Sequence, residues 1–208
     1  MAWSGDGGFP AQVGPVGVVA GRRCPGRRPK VCCVEIVTAR LALRRPGAAD
    51  LTTIFAIHRD PEACRHNPSD RLATLADAEH LYDRWDEHWR RHGFGYWVVE
   101  DRDRRVLGFA GLKVVRFRET EALNLFYRLD PCAWGAGVAT EAAAAVVAWA
   151  GRHLPEWPVI ARVRPDNVAS QKVAQRAGLT RAEHLDDTGE DGLDWLFVLR
   201  WPTAAPAA

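Results

Sequence analysis

The chain has 208 residues, of which 47% are hydrophobic, and this is enough to bury one substantial core. Its net charge is only +2, and because the first 34 residues hold five basic side chains and one acid, the remainder is mildly acidic. A nucleic-acid-binding surface needs a basic excess, and a membrane span needs about 18 apolar residues in a row, so we expect neither nucleic acid nor a membrane as a partner. These properties predict a cytoplasmic protein with one domain, and they leave open whether it is a monomer or a homodimer.

Composition divides the chain into three parts. Residues 1–34 are rich in Gly, Pro and Arg and lack hydrophobic periodicity, so a disordered extension is expected there. Residues 35–202 carry the periodic segments of the predicted domain, and 203–208 form a short tail. The scattered cysteines include no C-x-x-C pair, and His88 and His92 lack a third ligand, so we expect no metal site.

Helix and strand patterns alternate through the predicted domain. Residues 37–44 alternate as a strand, and 48–58 follow as a short helix. Thr74 is the predicted cap of a helix over Leu75–His92, which Gly93 ends. The later segments are a hairpin of 95–101 and 106–115, a strand at 122–129, a helix at 142–154, a strand at 158–163, a helix at 167–177, and strands near 180–185 and 195–201. This order predicts an α/β fold with a mixed, mostly antiparallel central sheet flanked by helices.

The most informative segment is a glycine-containing loop between the strand that ends at Leu129 and the next helix. The loop residues are Trp134, Gly135, Ala136, Gly137, Val138, Ala139 and Thr140. A Gly-x-Gly turn at the start of a helix leaves several backbone N–H groups unpaired and pointing in one direction, where the helix dipole also favours an anion. The pattern therefore indicates a site for a pyrophosphate group.

Two classes of cofactor are bound by such a turn. The dinucleotide-binding fingerprint has a third glycine, where this chain has Thr140, and an acidic residue about 20 residues later, where the strand at 157–164 has none. A nucleotide-binding oxidoreductase is therefore an alternative that rests on the Gly-x-Gly turn alone.

Three motifs in order resemble the GCN5-related N-acetyltransferase (GNAT) family. The loop at 134–139 resembles its [Q/R]-x-x-G-x-[G/A] pyrophosphate loop, and 164–179 resembles its asparagine-bearing helix that ends in Gly-Phe. Residues 38–44 resemble the T-x-R-L-x-L-R opening of the branch that acetylates ribosomal-protein N-termini. The resemblance covers about 37–201 and implies the GNAT fold, with acetyl-CoA as co-substrate and an amine as acceptor.

The resemblance also implies which residues contact acetyl-CoA. The strand before the loop would splay from the next strand, and the pantetheine arm would pair with the backbone of Tyr127, Arg128 and Leu129. Backbone N–H groups from Gly135 to Thr140 would hold the pyrophosphate. Asn167 matches the asparagine that bonds the pantetheine arm, although a helix cap explains the same residue.

The expected proton donor of the family is missing from this chain. Many members have a tyrosine seven residues after the asparagine, where this chain has Ala174. The ribosomal-protein branch often has a serine three residues after it, and here that residue is Ser170. Ser170 is therefore the candidate acid that protonates the leaving thiolate.

A general-base glutamate is missing as well. The two positions where relatives carry one are occupied by Asn124 and Arg162. Glu119 or Glu121, at the start of the same strand as Asn124, is a candidate base that acts through a water molecule. The alternative is that no base is needed, because the amine arrives partly deprotonated or loses its proton to ordered water. A catalytically inactive protein that keeps the CoA-binding fold is the alternative that these substitutions leave open.

The acceptor is expected to be a primary amine, either a protein N-terminus or a small cationic amine. Acidic residues are frequent in the segments that form the acceptor side in this family, and carboxylates attract protonated amines. The acids concerned are Asp60, Glu62, Asp83, Asp86, Glu87, Glu119 and Glu121.

Overall fold

The structure is a computed structural model that describes residues 35–202. The predicted extension at 1–34 and the predicted tail at 203–208 lie outside the described residues. The strands are β1 Ile36–Val37, β2 Ala42–Arg44, β3 Tyr96–Glu100, β4 Val106–Phe117, β5 Thr120–Leu129, β6 Val159–Val163, β7 Thr180–Arg181, β8 Asp187–Gly189 and β9 Gly192–Leu199. The helices are α1 Leu51–Arg59, α2 Leu75–His92, α3 Val138–His153 and α4 Val168–Arg176.

One sheet organises these elements, in the strand order β1-β2-β3-β4-β5-β6-β9-β7, with β8 paired to β9. Only the β5–β6 pair is parallel among the described strands. The predicted fold class, a mixed and mostly antiparallel sheet flanked by helices, is therefore confirmed.

The prediction of a single strand at 37–44 is wrong. The segment forms two short antiparallel strands, β1 and β2, in which Ile36 pairs with Leu43 and Val37 with Ala42. Between them the backbone N–H of Thr38 donates to the carbonyl of Leu41 at 2.9 Å, which closes a tight turn. The alternation of apolar residues continues through the turn, so the pattern alone did not reveal the reversal.

Helix α2 begins and ends where local signals predict. The hydroxyl of Thr74 accepts the N–H of Asp77 at 3.2 Å, and the Asp77 carboxylate accepts the N–H of Thr74 at 2.8 Å. This reciprocal pair satisfies donors that the first turn of the helix leaves unpaired. Gly93 ends the helix with φ +78°, a left-handed conformation that glycine adopts without strain.

Two helical layers cover the sheet, and β5 contributes side chains to both. Phe126 packs with Ile54, Trp85 and Phe109 in the layer of α1 and α2. Leu125 and Leu129 belong to the core that α3 and α4 cover. Because side chains alternate along a strand, Asn124 and Arg128 share the face of Phe126.

The strands β5 and β6 separate after a short pairing. Leu123 pairs with Val159 and Asn124 with Ile160, and no further pair joins the two strands among the described residues. The backbone of β5 from Leu125 to Leu129 therefore faces an opening on this side. This splay agrees with the expectation for the strand before the glycine loop.

The C-terminal strands differ from the predicted ones. The strand predicted at 180–185 is only two residues long, and a 3₁₀ helix follows it at Glu183–Leu185. Strand β8 was missed because it is only three residues long and two of them, Asp187 and Gly189, are poor strand formers; it pairs with the start of β9 in a tight hairpin.

Candidate active site

A cleft of about 690 Å³ lies where β5 and β6 separate. We call it the large cleft. Twelve of the fourteen predicted catalytic and cofactor-binding residues line it: Asn124, Tyr127, Arg128, Leu129, Trp134, Gly135, Gly137, Val138, Ala139, Thr140, Asn167 and Ser170. Two others, Ala136 and Glu121, are not among the lining residues. The chain therefore folds so that the glycine loop, the end of β5 and the first turn of α4 surround one space.

The glycine loop presents free backbone donors to the large cleft. Gly135 and Gly137 have φ of +78° and +76°, and Gly137 is the residue before helix α3. The first N–H bonded into the helix is that of Glu141, which donates to the carbonyl of Gly137 at 3.0 Å. The N–H groups from Gly135 to Thr140 have no acceptor among the described residues. Such a set at a helix N-terminus binds anions.

An ion pair from the β1–β2 turn fixes this loop. Arg40 donates through Nε to a carboxylate oxygen of Glu141 at 2.6 Å and through a terminal nitrogen to the carbonyl of Ala136 at 2.9 Å. Thr38 also donates to Glu141, at 2.5 Å. Burial opposes ionisation of Glu141, but the hydrogen bonds from Thr38 and Arg40 outweigh it and hold its pKa below the usual value. Ala136 therefore supports the loop through its carbonyl.

Trp134 lies at the edge of the large cleft and does not pack beneath α3. Its indole N–H donates to the carbonyl of Leu129 at 3.2 Å, and the guanidinium of Arg65 lies 5.5 Å from the centre of its ring. The side chain is 42% exposed. Trp134 thus ties the loop to the end of β5 and leaves a ring face available at the cleft.

The first turn of α4 forms the opposite wall of the large cleft. Asn167 caps the helix, since its Oδ1 accepts the N–H of Ser170 at 3.0 Å. The hydroxyl of Tyr127 donates to the backbone carbonyl of Ser170 at 3.2 Å, which joins β5 to α4. Burial raises the pKa of Tyr127 to about 12, so its hydroxyl stays protonated near neutral pH. Ala174 is fully buried, and its methyl group offers no proton.

The structure places Glu121, the candidate base, away from both cavities, and its role through a water molecule stays a prediction. Glu121 is exposed, stands opposite Arg116 in the β4–β5 pairing, and lines neither cavity described in this section. Glu119 is 93% exposed and pairs with Arg116 at 2.9 Å. Both acids lie at the far end of β5 from the glycine loop, so neither reaches the large cleft.

A second cavity of about 380 Å³, the small cavity, lies on the α1–α2 face of the sheet. It shares four lining residues with the large cleft: Asp70, Asn124, Phe126 and Arg128. Its other polar lining residues are His58, Ser69, Arg84, His88, Tyr96 and Lys113. The two spaces therefore meet across β5, on either side of Asn124.

Asn124 is the polar group at this junction. Its Oδ1 is buried and has no hydrogen-bond partner among the described residues. Burial raises the pKa of the neighbouring Tyr96 phenol, and the Asn124 side chain beside it acts in the opposite direction. A buried acceptor without a donor is costly unless a ligand supplies one.

The acids expected to attract a cationic acceptor do not line the small cavity. Among the seven, Glu62 alone lines the large cleft. Asp86 is paired with Arg45 and Arg90, and Asp60 accepts the N–H of Glu62. Six of the seven acids therefore line neither cavity, and the cationic acceptor that they were expected to attract stays a prediction.

The histidines near the small cavity are neutral at physiological pH. Burial and the charge of Arg128 lower the pKa of His58 to about 3, and its Nδ1 lies 2.9 Å from the carbonyl of Ile54. Burial lowers the pKa of His88 to about 4. Its two ring nitrogens contact the carbonyl of Phe94 and the N–H of Val114. His88 is therefore committed to structural hydrogen bonds.

Within residues 35–202, no group of three or more His, Cys, Asp or Glu side chains is arranged to hold a metal ion. None of the helices that the structure describes is long and apolar enough to cross a membrane.

Comparison with known proteins identifies the family. The sequence pattern of the acetyltransferase (GNAT) domain matches residues 40–180, which is more than half of the chain. The chain belongs to the acetyltransferase (GNAT) family. The family and the enzyme class predicted from the sequence, an N-acetyltransferase, are therefore confirmed. The uncharacterized protein YkkB of Bacillus subtilis is 25% identical over 150 residues, which cover 70% of this chain and 84% of that protein.

Solved GNAT structures with different acceptors share the fold. A spermidine N-acetyltransferase from Vibrio cholerae, in complex with CoA and spermine, is 16% identical with a TM-score of 0.63 over 78% of this chain and 96% of that one. A ribosomal L7/L12 alpha-N-protein acetyltransferase in complex with coenzyme A is 15% identical with a TM-score of 0.64 over 78% and 95%. The fold alone therefore does not select an acceptor.

The sequence patterns did not predict several contacts around the candidate site. Arg40 and Thr38 belong to the opening motif, but their contact with Glu141 depends on the β1–β2 turn. His58 and Lys113 carried no motif, and only the folded sheet places them at the same cavity.

Proposed function

We propose that the protein transfers an acetyl group from acetyl-CoA directly to a primary amine. The observation that carries the proposal is the run of unpaired N–H groups from Gly135 to Thr140. All of these residues except Ala136 line a cleft that continues along the free edge of β5. A pyrophosphate fits the first feature and the amide groups of a pantetheine arm fit the second. Both belong to one CoA molecule.

The charge of the large cleft supports a phosphate-bearing co-substrate. Lys172 and Arg176, on the α4 side, have no carboxylate partner among the described residues and line the cleft. The positive end of α3 lies on the opposite side, at Gly137. Together these groups would neutralise the phosphates of the co-substrate.

The chemistry requires the acceptor nitrogen to attack the thioester carbonyl carbon while the carbon–sulfur bond breaks. Backbone N–H groups of β5 at the splay would polarise that carbonyl, as in an oxyanion hole. Asn124 cannot take a proton, but its buried Oδ1 would accept an N–H of the amine and orient its lone pair. Water would take the proton that the amine loses, because Asp70, the carboxylate that lines both cavities at this junction, is paired with Arg128.

Ser170 is the proposed donor of the proton that the thiolate gains. It lines the large cleft in the first turn of α4, beside the pantetheine route along β5. Asn167 would hold the same arm through its side-chain amide, while its Oδ1 caps the helix.

Purified protein tests the proposal by thiol release from acetyl-CoA in the presence of a panel of amines, with the acetylated product identified by mass spectrometry. Release of CoA matched by acetylated amine is the expected result. CoA binding without turnover on any amine would instead indicate an inactive CoA-binding protein. Binding of NAD(P)H without binding of CoA would indicate an oxidoreductase.

A further inference from the structure

The small cavity is electropositive. Three cationic side chains line it, Arg84, Lys113 and Arg128, against one carboxylate, Asp70. Arg84 and Lys113 are exposed, and neither has a carboxylate partner among the described residues. Unpaired cations around a concave site raise the local concentration of anions and repel cations.

Arg128 is the buried member of this set. It is 7% exposed, and its guanidinium donates to Asp70 at 2.7 Å. Asp70 is itself 53% exposed, in the loop before α2. The other N–H groups of the guanidinium have no acceptor among the described residues. A buried guanidinium with spare donors and one exposed partner is suited to bind a second carboxylate in its planar fork.

The Arg128 guanidinium lies in the same cavity as Asn124, the residue proposed to orient the reacting nitrogen. The guanidinium lies 5.6 Å from the centre of the Phe126 ring, so it folds back over the residue between Arg128 and Asn124. Phe126 and Asn124 are two residues apart on one strand face, a separation of about 7 Å. Arg128 and Asn124 therefore line the same cavity from one face of β5, so that one small acceptor in this cavity can contact both.

We propose that the acceptor is an amine with a carboxylate close to the reacting nitrogen, as in an α-amino acid. The carboxylate binds Arg128, and the nitrogen lies at Asn124. The aromatic rings of Trp85, Tyr96 and Phe126 line the cavity and would hold an apolar side chain. This inference rests on the proposed function, and it replaces the cationic acceptor expected from the sequence.

Matched pairs of acceptors test the inference. L-Phenylalanine and L-phenylalaninamide have the same amine and side chain, but only the first has a carboxylate. We expect kcat/KM to be on the order of tenfold or more higher for the amino acid, which is the size of effect that a buried charged hydrogen bond supplies. The amine of phenylalaninamide is less basic, so a larger fraction of it is neutral and reactive. Basicity alone would therefore favour the amide over the amino acid. Equal or better use of the amide, or of spermidine, would overturn it.

Substitutions of the two members of the Arg128–Asp70 ion pair should change the preference for the amino acid in opposite directions. Arg128→Gln should bring the ratio of kcat/KM for phenylalanine over its amide close to one. Asp70→Asn removes the competing carboxylate and should keep or raise that ratio. Arg90→Gln, on the exposed face of α2 and outside the cavity, is the matched control and should leave the ratio unchanged. Circular dichroism checks that each variant is folded, and Arg128→Lys, which keeps the charge without the fork, should give an intermediate ratio.

The outcomes separate this inference from the proposed function. Turnover on amides or spermidine but not on amino acids would support the proposed acetyltransferase activity and overturn the proposal that the acceptor carries a carboxylate. If no amine is acetylated, titration calorimetry of the protein–CoA complex with phenylalanine and phenylalaninamide still tests whether the small cavity binds a carboxylate. Tighter binding of the amino acid supports the anion site, and equal binding of the two overturns it.

Discussion

Arg40 and Glu141, which are 101 residues apart in the sequence, form an ion pair of 2.6 Å across the start of helix α3. The same arginine donates to the carbonyl of Ala136, so one side chain fixes both ends of the glycine loop. Its terminal nitrogen would lie 3.5 Å from a Cβ added at Gly137. The opening motif of the chain and its glycine loop are therefore one structural unit.

Disrupting this ion pair should weaken CoA binding. Glu141→Gln removes the charge that holds Arg40 and Thr38 while keeping a similar shape. We expect the Kd for CoA to rise roughly threefold to tenfold, because the loop amides lose their fixed directions. Calorimetry measures the affinity. Arg90→Gln, which breaks an exposed pair with Asp86 on α2, is the control, and an equal effect in both variants would refute a specific role.

Gly137→Val should damage the anion site directly. The φ of +76° costs a β-branched residue roughly 1–2 kcal/mol, and the new side chain occupies the space in front of the amides. We expect a folded protein whose CoA Kd rises at least about tenfold. Gly151→Ala, at an exposed position in the last turn of α3, is the matched glycine control and should leave the affinity for CoA unchanged. Unchanged CoA affinity in folded Gly137→Val would rule out this loop as the phosphate site.

Ser170→Ala tests the proposed acid. Loss of a positioned proton donor lowers kcat by about 10²-fold, whereas loss of a solvated hydroxyl changes it little. We expect at least a several-fold fall in kcat with an unchanged KM for acetyl-CoA, because the phosphates are held elsewhere. Tyr127→Phe is the comparison, since it removes a hydroxyl bonded to the Ser170 carbonyl. A larger loss of kcat in Tyr127→Phe than in Ser170→Ala would move the role to the tyrosine.

Buried His58 should make stability depend on pH. Its pKa falls from 6.5 to about 3 on folding, so the unfolded chain binds the proton more tightly. The free energy of unfolding should therefore fall as pH decreases below about 6.5, and continue to fall towards about 3. Urea unfolding at about pH 7 and about pH 5 measures the slope. His58→Gln should reduce it, whereas His80→Gln, exposed on α2, should not.

Local signals predicted the parts of the fold that depend on few residues. Thr74 and Gly93 give the bounds of α2 because capping is decided by neighbours within one turn. The glycine loop was found for the same reason, since its glycines and the next helix are adjacent in sequence. The reversal after Val37 was missed because apolar alternation does not distinguish a strand from two strands joined by a tight turn.

The acceptor side could not be predicted from sequence because it depends on distant elements. Arg128 was singled out because its backbone was expected to pair with the pantetheine arm. Its side chain lies on the α1–α2 face of β5, where it contacts Asp70. Glu121 was chosen for its place on the same strand as Asn124, but it lies at the exposed end of that strand. The charge of a cavity is a sum over several chain segments, and six of the seven acids counted in the sequence line neither cavity.

The most direct test of the account is the stoichiometry of transfer in one reaction of the full chain with acetyl-CoA and L-phenylalanine. The account predicts one free CoA thiol for each N-acetylated amine formed, with both products reduced together in Gly137→Val. A folded protein that binds no CoA, or that releases thiol without forming an acetylated amine from any acceptor in the panel, would contradict it.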